Sequence, residues 1–310
     1  EFLSETYYHS LSFIFSKEEF RRQIEMHRAK IKEHFGQTPK IFRNTELIYN
    51  NELASVIEKM GFKGILCEGV DRLLKGRTPN YLYQPAGSLK IKTFLKNYSL
   101  SDDIAFRFSD RNWKEWPLQA DTFASWVHQI AGNGEVLNLF MDYETFGEHQ
   151  WEETGIFDFL DYLPKEIMSH SDFDFKTLSE AADSYKVRDI YDAPDFISWA
   201  DAERDLSAWL SNPMEKEAAK RIYALEERVI KSENKDLIEV WGKLQTSDHF
   251  YYMCTKFWSD GDVHKYFSPY DSPYDAYIYY MNVLADFEST IDLFYKDKKE
   301  GKKLEKKNNL

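Results

Sequence analysis

Two short stretches each run from apolar residues into a carboxylate. Met141-Asp142-Tyr143-Glu144-Thr145-Phe146-Gly147-Glu148-His149 follows the apolar residues 136–140 directly, and Phe42-Arg43-Asn44-Thr45-Glu46-Leu47-Ile48-Tyr49 repeats the arrangement. Parallel α/β proteins keep their reacting groups at strand C-termini, so Asp142, Glu144 and Glu46 can share one rim. Tyr143, Phe146, His149 and Trp151 neighbour Asp142 in sequence; by excluding water they would raise its pKa toward a proton-donating value. Two such carboxylates suit glycosidic bond cleavage, one attacking the anomeric carbon and the other protonating the departing oxygen; retention of configuration needs them about 5 to 5.5 Å apart. Plainer readings stand beside this one: solvated acids capping a helix at Asp142, and a structural Arg43–Glu46 ion pair. Glu5-Thr6-Tyr7-Tyr8-His9 closes a third strand-like stretch and adds an imidazole to a polar aromatic cluster, although a lone His9 is equally an ordinary core or surface histidine.

The remaining chemistry is sparse. The 8 histidines show no HxxxH or HExxH spacing, and Cys67 and Cys254, the 2 cysteines, form no CxxC pair, so neither a catalytic metal, a zinc ribbon nor a disulfide framework is indicated. A reducing compartment is the simpler setting. GxSxG, P-loop and GxGxxG motifs are absent, which removes common esterase, nucleotidase and dinucleotide readings. A net charge of −13 argues against nucleic acid or an anionic membrane surface as partner. The 23 Phe, 20 Tyr and 8 Trp supply flat faces for a neutral, hydroxyl-rich ligand. No run of the roughly 18 apolar residues that a membrane helix needs occurs.

Around these motifs, Ser16-Lys17-Glu18-Glu19 reads as a capping box opening a helix that Gly36 ends. Residues 40–43 and 62–66 read as strands flanking a helix over 51–60, residues 89–98 are β-rich, and 121–130 form a helix with Trp126 on its apolar face. Residues 136–142 read as a central parallel strand covered on both faces. This alternation predicts a parallel sheet, open or closed into a barrel. After about residue 186 the pattern is helical, over 201–210, 215–231, 237–244 and 275–295. The predicted organisation is a barrel over 1–190, a helical domain over 191–295 and a disordered Lys-rich tail over 296–310. Because Glu1-Phe2-Leu3 already reads as mid-strand, the natural start is expected to lie upstream.

FLSETYYHSL, FRNTELIY and MDYETFGEHQW, followed by ISWADAERDLSAWL, resemble four of the five ordered sequence regions of glycoside hydrolase family 57. The branch resembled is its bacterial and archaeal α-amylase group, over residues 1 to about 291. The resemblance implies an α/β fold, an incomplete (β/α)7 barrel of parallel strands followed by a helical C-terminal domain. It implies retention of configuration, no metal, no cofactor, and an α-glucan (starch, glycogen or maltooligosaccharides) as substrate. It makes Glu46 the nucleophile and Asp142 the general acid/base, and lines the sugar subsites with His9, His149, Asp205 and Trp209. Tyr8, Glu144, Trp151 and Trp199 complete the substrate-binding candidates, with a core role the alternative for each tryptophan. Intracellular family members point to the cytoplasm. The family's first region, a His-Gln-Pro strand, has no counterpart in these residues, so the chain as given is expected to be weak, inactive or aggregation-prone. Hydrolysis and 4-α-glucanotransfer share every catalytic residue. Two other classes compete: a non-catalytic glucan-binding protein, and a metal-dependent polysaccharide deacetylase, which would need an Asp-His-His triad.

Overall fold

The structure, a computed structural model, describes residues 1–256 and 268–308, with side chains to residue 300. The chain divides into two units, Glu1–Ser4 with Phe35–Ser198, and Glu5–His34 with Trp199–Leu310.

The first unit is built on β1 (Ile41–Phe42), β2 (Gly64–Glu68), β3 (Leu82–Pro85), β4 (Lys92–Lys96) and β5 (Val187–Tyr191), in the order β1-β2-β4-β3-β5. Pairs β1/β2, β2/β4 and β3/β5 are parallel, and β3/β4 is antiparallel. Ser4 extends the sheet beyond β1: its N–H donates to the Ile41 carbonyl at 3.0 Å and its own carbonyl accepts from Arg43 at 2.9 Å. The crossover from β1 to β2 is the helix Asn51–Lys59, whose first turn is capped by Asn50 Oδ1 accepting from Leu53 N–H at 2.8 Å. It buries Leu53, Ala54 and Ile57. Every residue of β2 is buried, as a parallel strand covered on both faces requires. A Cβ on Gly64 would lie 2.7 Å from the Phe94 ring and 2.9 Å from Ile41, so the sheet closes here only around a glycine.

A helix pair, Ala120–His128 and Ile156–Met168, forms a second core of Phe108, Phe123, Val127, Phe159, Leu163 and Ile167. As expected, Trp126 packs against it. The expectation for residues 136–142 is corrected. They form no paired strand, and apart from Asn138 they are half-buried or exposed. Val136 N–H, the Asn138 carbonyl and Phe140 N–H bond to Asn80, Asn97 and the Ser101 hydroxyl. An apolar run meets the condition for a central strand only when a partner strand lies beside it.

The second unit is helical, with Lys17–Phe35 lying almost wholly in it, followed by Pro213–Tyr223, Glu226–Ser232, Lys235–Lys243, Ser247–Tyr251 and Pro273–Asn308. Ser16 Oγ accepts from Glu19 N–H at 3.1 Å, as the capping box predicts. Residues 5–34 thus depart from the expected barrel assignment. Their helix buries Glu19, Phe20, Gln23 and Ile24, and a buried polar network explains the allegiance. Gln23 Nε2 donates to Gln245 Oε1 at 3.1 Å, Gln245 Nε2 to Glu19 Oε1 at 3.2 Å, and Ser16 Oγ to Glu226 at 2.8 Å. Long-range pairing of this kind has no signature in local periodicity. Residues 201–206, expected as helix, are turns with Asp201 and Arg204 at φ +53°. Lys256 Nζ grips the turn from outside, on Asp201 at 3.1 Å and Glu203 at 2.8 Å. The Lys-rich stretch from 296, read as a disordered tail, is helical to Asn308, its last two residues lying outside the described ones. Lys and Glu are good helix formers, and extending an existing helix costs little.

Candidate active site

The chain leaves β1 through Asn44 into a single tight turn, Thr45–Leu47. Leu47 N–H donates to the Asn44 carbonyl at 3.1 Å, Ile48 N–H to the Thr45 carbonyl at 2.9 Å, and Asn44 Nδ2 to the Ile48 carbonyl at 3.0 Å. Asn44, Thr45 and Leu47 are 3%, 0% and 1% exposed, whereas Glu46 between them is only half-buried. Glu46 and Leu47 have φ of +56° and +50°, a left-handed conformation that costs a non-glycine residue on the order of 1 kcal/mol. Such strain persists where surrounding packing over-determines it, and it clusters at functional sites.

Asp142 ends the unpaired segment and opens a short turn, Tyr143–Thr145, its carbonyl accepting from Thr145 N–H at 3.2 Å. The carboxyl reaches solvent, yet it sits deep enough in protein that burial, the leading cause, raises its pKa above the ordinary aspartate range. Arg43 opposes that rise, Glu46 and Glu144 add to it, and His149 opposes it. Glu46, Glu144, His149 and Arg43 therefore lie within electrostatic reach of Asp142. Sequence reasoning had weighed Arg43 only as a partner for Glu46. Its position one residue beyond β1 was the available signal.

The turn is fastened by His149 N–H on the Glu144 carbonyl at 2.9 Å and by buried Gln150, whose Nε2 donates to the Ala105 carbonyl at 3.0 Å. The aromatic crowding expected around Asp142 is only partly present. Tyr143 is 95% exposed and Trp151 63% exposed, with the Trp151 indole N–H bonded to the Glu148 carbonyl. Both are open faces rather than walls. Sequence analysis placed Tyr143 among the groups crowding Asp142, because sequence does not tell an outward ring from an inward one.

The second unit carries the other candidates. Tyr8 packs so closely on Gly242 that a Cβ there would come within 2.1 Å of its ring, and Thr246 Oγ1 donates to its carbonyl at 3.0 Å. Burial raises the Tyr8 phenol, against the opposing charge of Arg22. His9 has φ +50°, with its Nδ1 3.5 Å from Glu5. Asp205 Oδ1 accepts from Ser207 N–H at 2.8 Å, and the Trp199 carbonyl accepts from Arg204 at 3.2 Å. Trp209 is 1% exposed and faces Tyr251 at 6.3 Å between centroids, so it is a core residue with no face free for a sugar. Among the described residues no group of three or more His, Cys, Asp or Glu could hold a metal ion, and no helix is long and apolar enough to cross a membrane.

A Methanocaldococcus jannaschii protein named "Putative alpha-amylase" is 48% identical over 299 residues, covering 93% of this chain; the chain spans 63% of that relative's length. The crystal structure of a family 57 type branching enzyme from Pyrococcus horikoshii superposes with a TM-score of 0.70 at 16% identity, over 95% of this chain and 65% of that one. A 4-alpha-glucanotransferase from Thermococcus litoralis gives 0.59 at 18% identity, over 81% of this chain and 44% of that one. These likenesses establish the fold the motifs implied, a mainly parallel (β/α) barrel with a helical region after it. The sequence profile of glycosyl hydrolase family 57 matches residues 1–194, and with it the relative at 48% identity, so the chain belongs to that family.

Proposed function

We propose that this chain carries the two catalytic carboxylates of a retaining glycoside hydrolase of the α-amylase type, acting on α-1,4-glucans, with Glu46 as nucleophile and Asp142 as general acid/base. The observation that supports it most is the environment of Asp142, whose carboxyl is raised by burial and, further, by Glu46 and Glu144. A carboxyl of raised pKa, in its protonated form, can give its proton to the glycosidic oxygen as the C1–O bond breaks and a Glu46 oxygen bonds to C1. The resulting Asp142 carboxylate then takes a proton from water, whose oxygen bonds to C1 and releases the Glu46 carboxylate. His9, Tyr8, Glu144, His149, Trp151, Trp199 and Asp205 are the proposed sugar-binding set, to which we add Tyr143. Trp209, first counted in that set, is left out because it is buried in the core. Two buried free cysteines suit a reducing cytoplasm.

A sugar hydroxyl in place of that water would make the same residues a 4-α-glucanotransferase, and the names of the branching enzyme and glucanotransferase of like fold favour keeping this second reading. The test is product release from soluble starch and maltoheptaose by the full-length protein that contains this chain, beside Glu46→Gln and Asp142→Asn in it, with near-UV circular dichroism as the check on folding. Loss of product in both folded variants is expected. Products longer than maltoheptaose would indicate transfer, and a folded parent that releases nothing from either substrate overturns the catalytic reading.

A further inference from the structure

Among the described residues no strand pairs with the segment that ends in Asp142, and specific bonds tether it. Glu135 and Val136 N–H groups donate to the Asn80 carbonyl at 2.8 and 3.1 Å. Asn138 spans the gap to β4 in both directions: its Nδ2 donates to the Leu95 carbonyl at 3.0 Å, and its carbonyl accepts from Asn97 N–H at 2.9 Å. Phe140 N–H donates to Ser101 Oγ at 3.2 Å, and that hydroxyl donates to the Asn97 carbonyl at 2.7 Å. Asn138 is 8% exposed and Ser101 is fully buried, and the catalytic scheme above uses neither.

Leu137, Leu139 and Met141 pack against the helix-pair core. In an extended chain this alternation turns Asn138, Phe140 and Asp142 to the opposite face. A one-residue slip would carry Asp142 onto the leucine face, and a two-residue slip would displace it by roughly 7 Å. Where a ladder is present, repeated backbone bonds oppose such slips. Here the amide of Asn138 supplies the donor that a neighbouring strand would have supplied to Leu95, and a hydroxyl that both accepts and donates is required at position 101.

We propose that Asn138 and Ser101 are positioning residues that fix the register and depth of Asp142. The proposal rests on Asp142 as the acid/base. The groups that act on Asp142, namely Arg43, Glu46, Glu144 and His149, are of both signs, so a shift in its position alters their balance.

The test uses Asn138→Leu, close in volume but without the amide, and Ser101→Ala as a milder second variant. The first readout needs no substrate: the Asp142 carboxyl is titrated by carbon-13 NMR, assigned by its absence in Asp142→Asn. In Asn138→Leu its pKa is expected to move from the raised value toward the ordinary aspartate range. The second readout compares starch with an aryl α-maltooligosaccharide whose leaving group departs without protonation. About a 100-fold fall in kcat on starch with little change in KM is expected, and a much smaller fall on the aryl substrate. General destabilisation would lower both alike. If Asn138→Leu does not fold, Ser101→Ala gives both readouts with smaller amplitude. Folded variants that match the parent in titration and in the starch-to-aryl ratio overturn the positioning role, even where Asp142→Asn is inactive. A titration that moves while neither parent nor variant acts on either substrate sustains the positioning of Asp142 and removes the catalytic reading instead.

Discussion

The turn that carries Glu46 and the segment that carries Asp142 are held in opposite ways. Around Glu46 the neighbouring residues are buried and the backbone is forced into a left-handed conformation. Around Asp142 the chain is half-exposed, unpaired and fastened by side chains, with Tyr143 and Trp151 open to solvent. The contrast matches the two chemical tasks proposed for these residues. A nucleophile must meet one carbon from one direction, which favours a rigid mount whose strain its packing can sustain. An acid/base must hold a proton, release it and recover it, which favours a carboxyl whose pKa is set by burial and neighbouring charges yet which reaches water. The largest effect expected from breaking this pairing is at the proposed nucleophile: Glu46→Gln should lower kcat on starch by more than about 10⁴-fold, since the carboxylate that would bond to C1 is then lost.

Asp142→Asn should cost less, about 10²- to 10⁴-fold on starch, and far less on an aryl glycoside with a good leaving group. Equal losses on both substrates would mean that the two segments do not divide the work in this way. In the parent, kcat/KM should fall as pH rises through the Asp142 pKa. Because burial raises that pKa, the alkaline limb should lie above the ordinary aspartate range and disappear in the variant.

A smaller effect tests the rigid mount itself. With φ at +56°, position 46 penalises any Cβ, so Glu46→Gly should be more stable to urea than Glu46→Ala by on the order of 1 kcal/mol, both being inactive. Equal stability would remove strain from the account of the turn.

How much of this was legible depended on how local the cause was. The helix Lys17–Phe35 was readable because its Ser16 cap and terminal Gly36, at φ +67°, lie in the sequence beside it. Its membership of the helical unit was not, since that is decided by Gln23 meeting Gln245. β5 escaped because Val187-Arg188-Asp189-Ile190-Tyr191 is a mostly exposed edge strand whose charges bond sideways, Arg77 to Asp189 at 2.6 Å and Arg188 to Glu135. Residues 136–142 misled in the other direction, being apolar because they cover a helix pair. The motifs pointed to the proposed site residues by type and order. The burial of Trp209, the strain at Glu46 and the tethers of Asn138 are properties of packing, which a single sequence does not carry.

The smallest expected effect sharpens the comparison most, because it concerns the proton and not the reaction. Asp142 has a folded pKa above its unfolded value of about 3.9. The folded state therefore binds its proton more tightly than the unfolded one, so what this group contributes to stability is fully present below the unfolded pKa and is lost as pH rises through the folded pKa. Asparagine does not titrate, so the melting temperature of Asp142→Asn relative to the parent should increase from acid toward neutral pH and then level off above the folded pKa. A melting difference for Asp142→Asn that stays flat between acid and neutral pH would place Asp142 among ordinary solvated carboxylates. The two segments would then differ in packing alone.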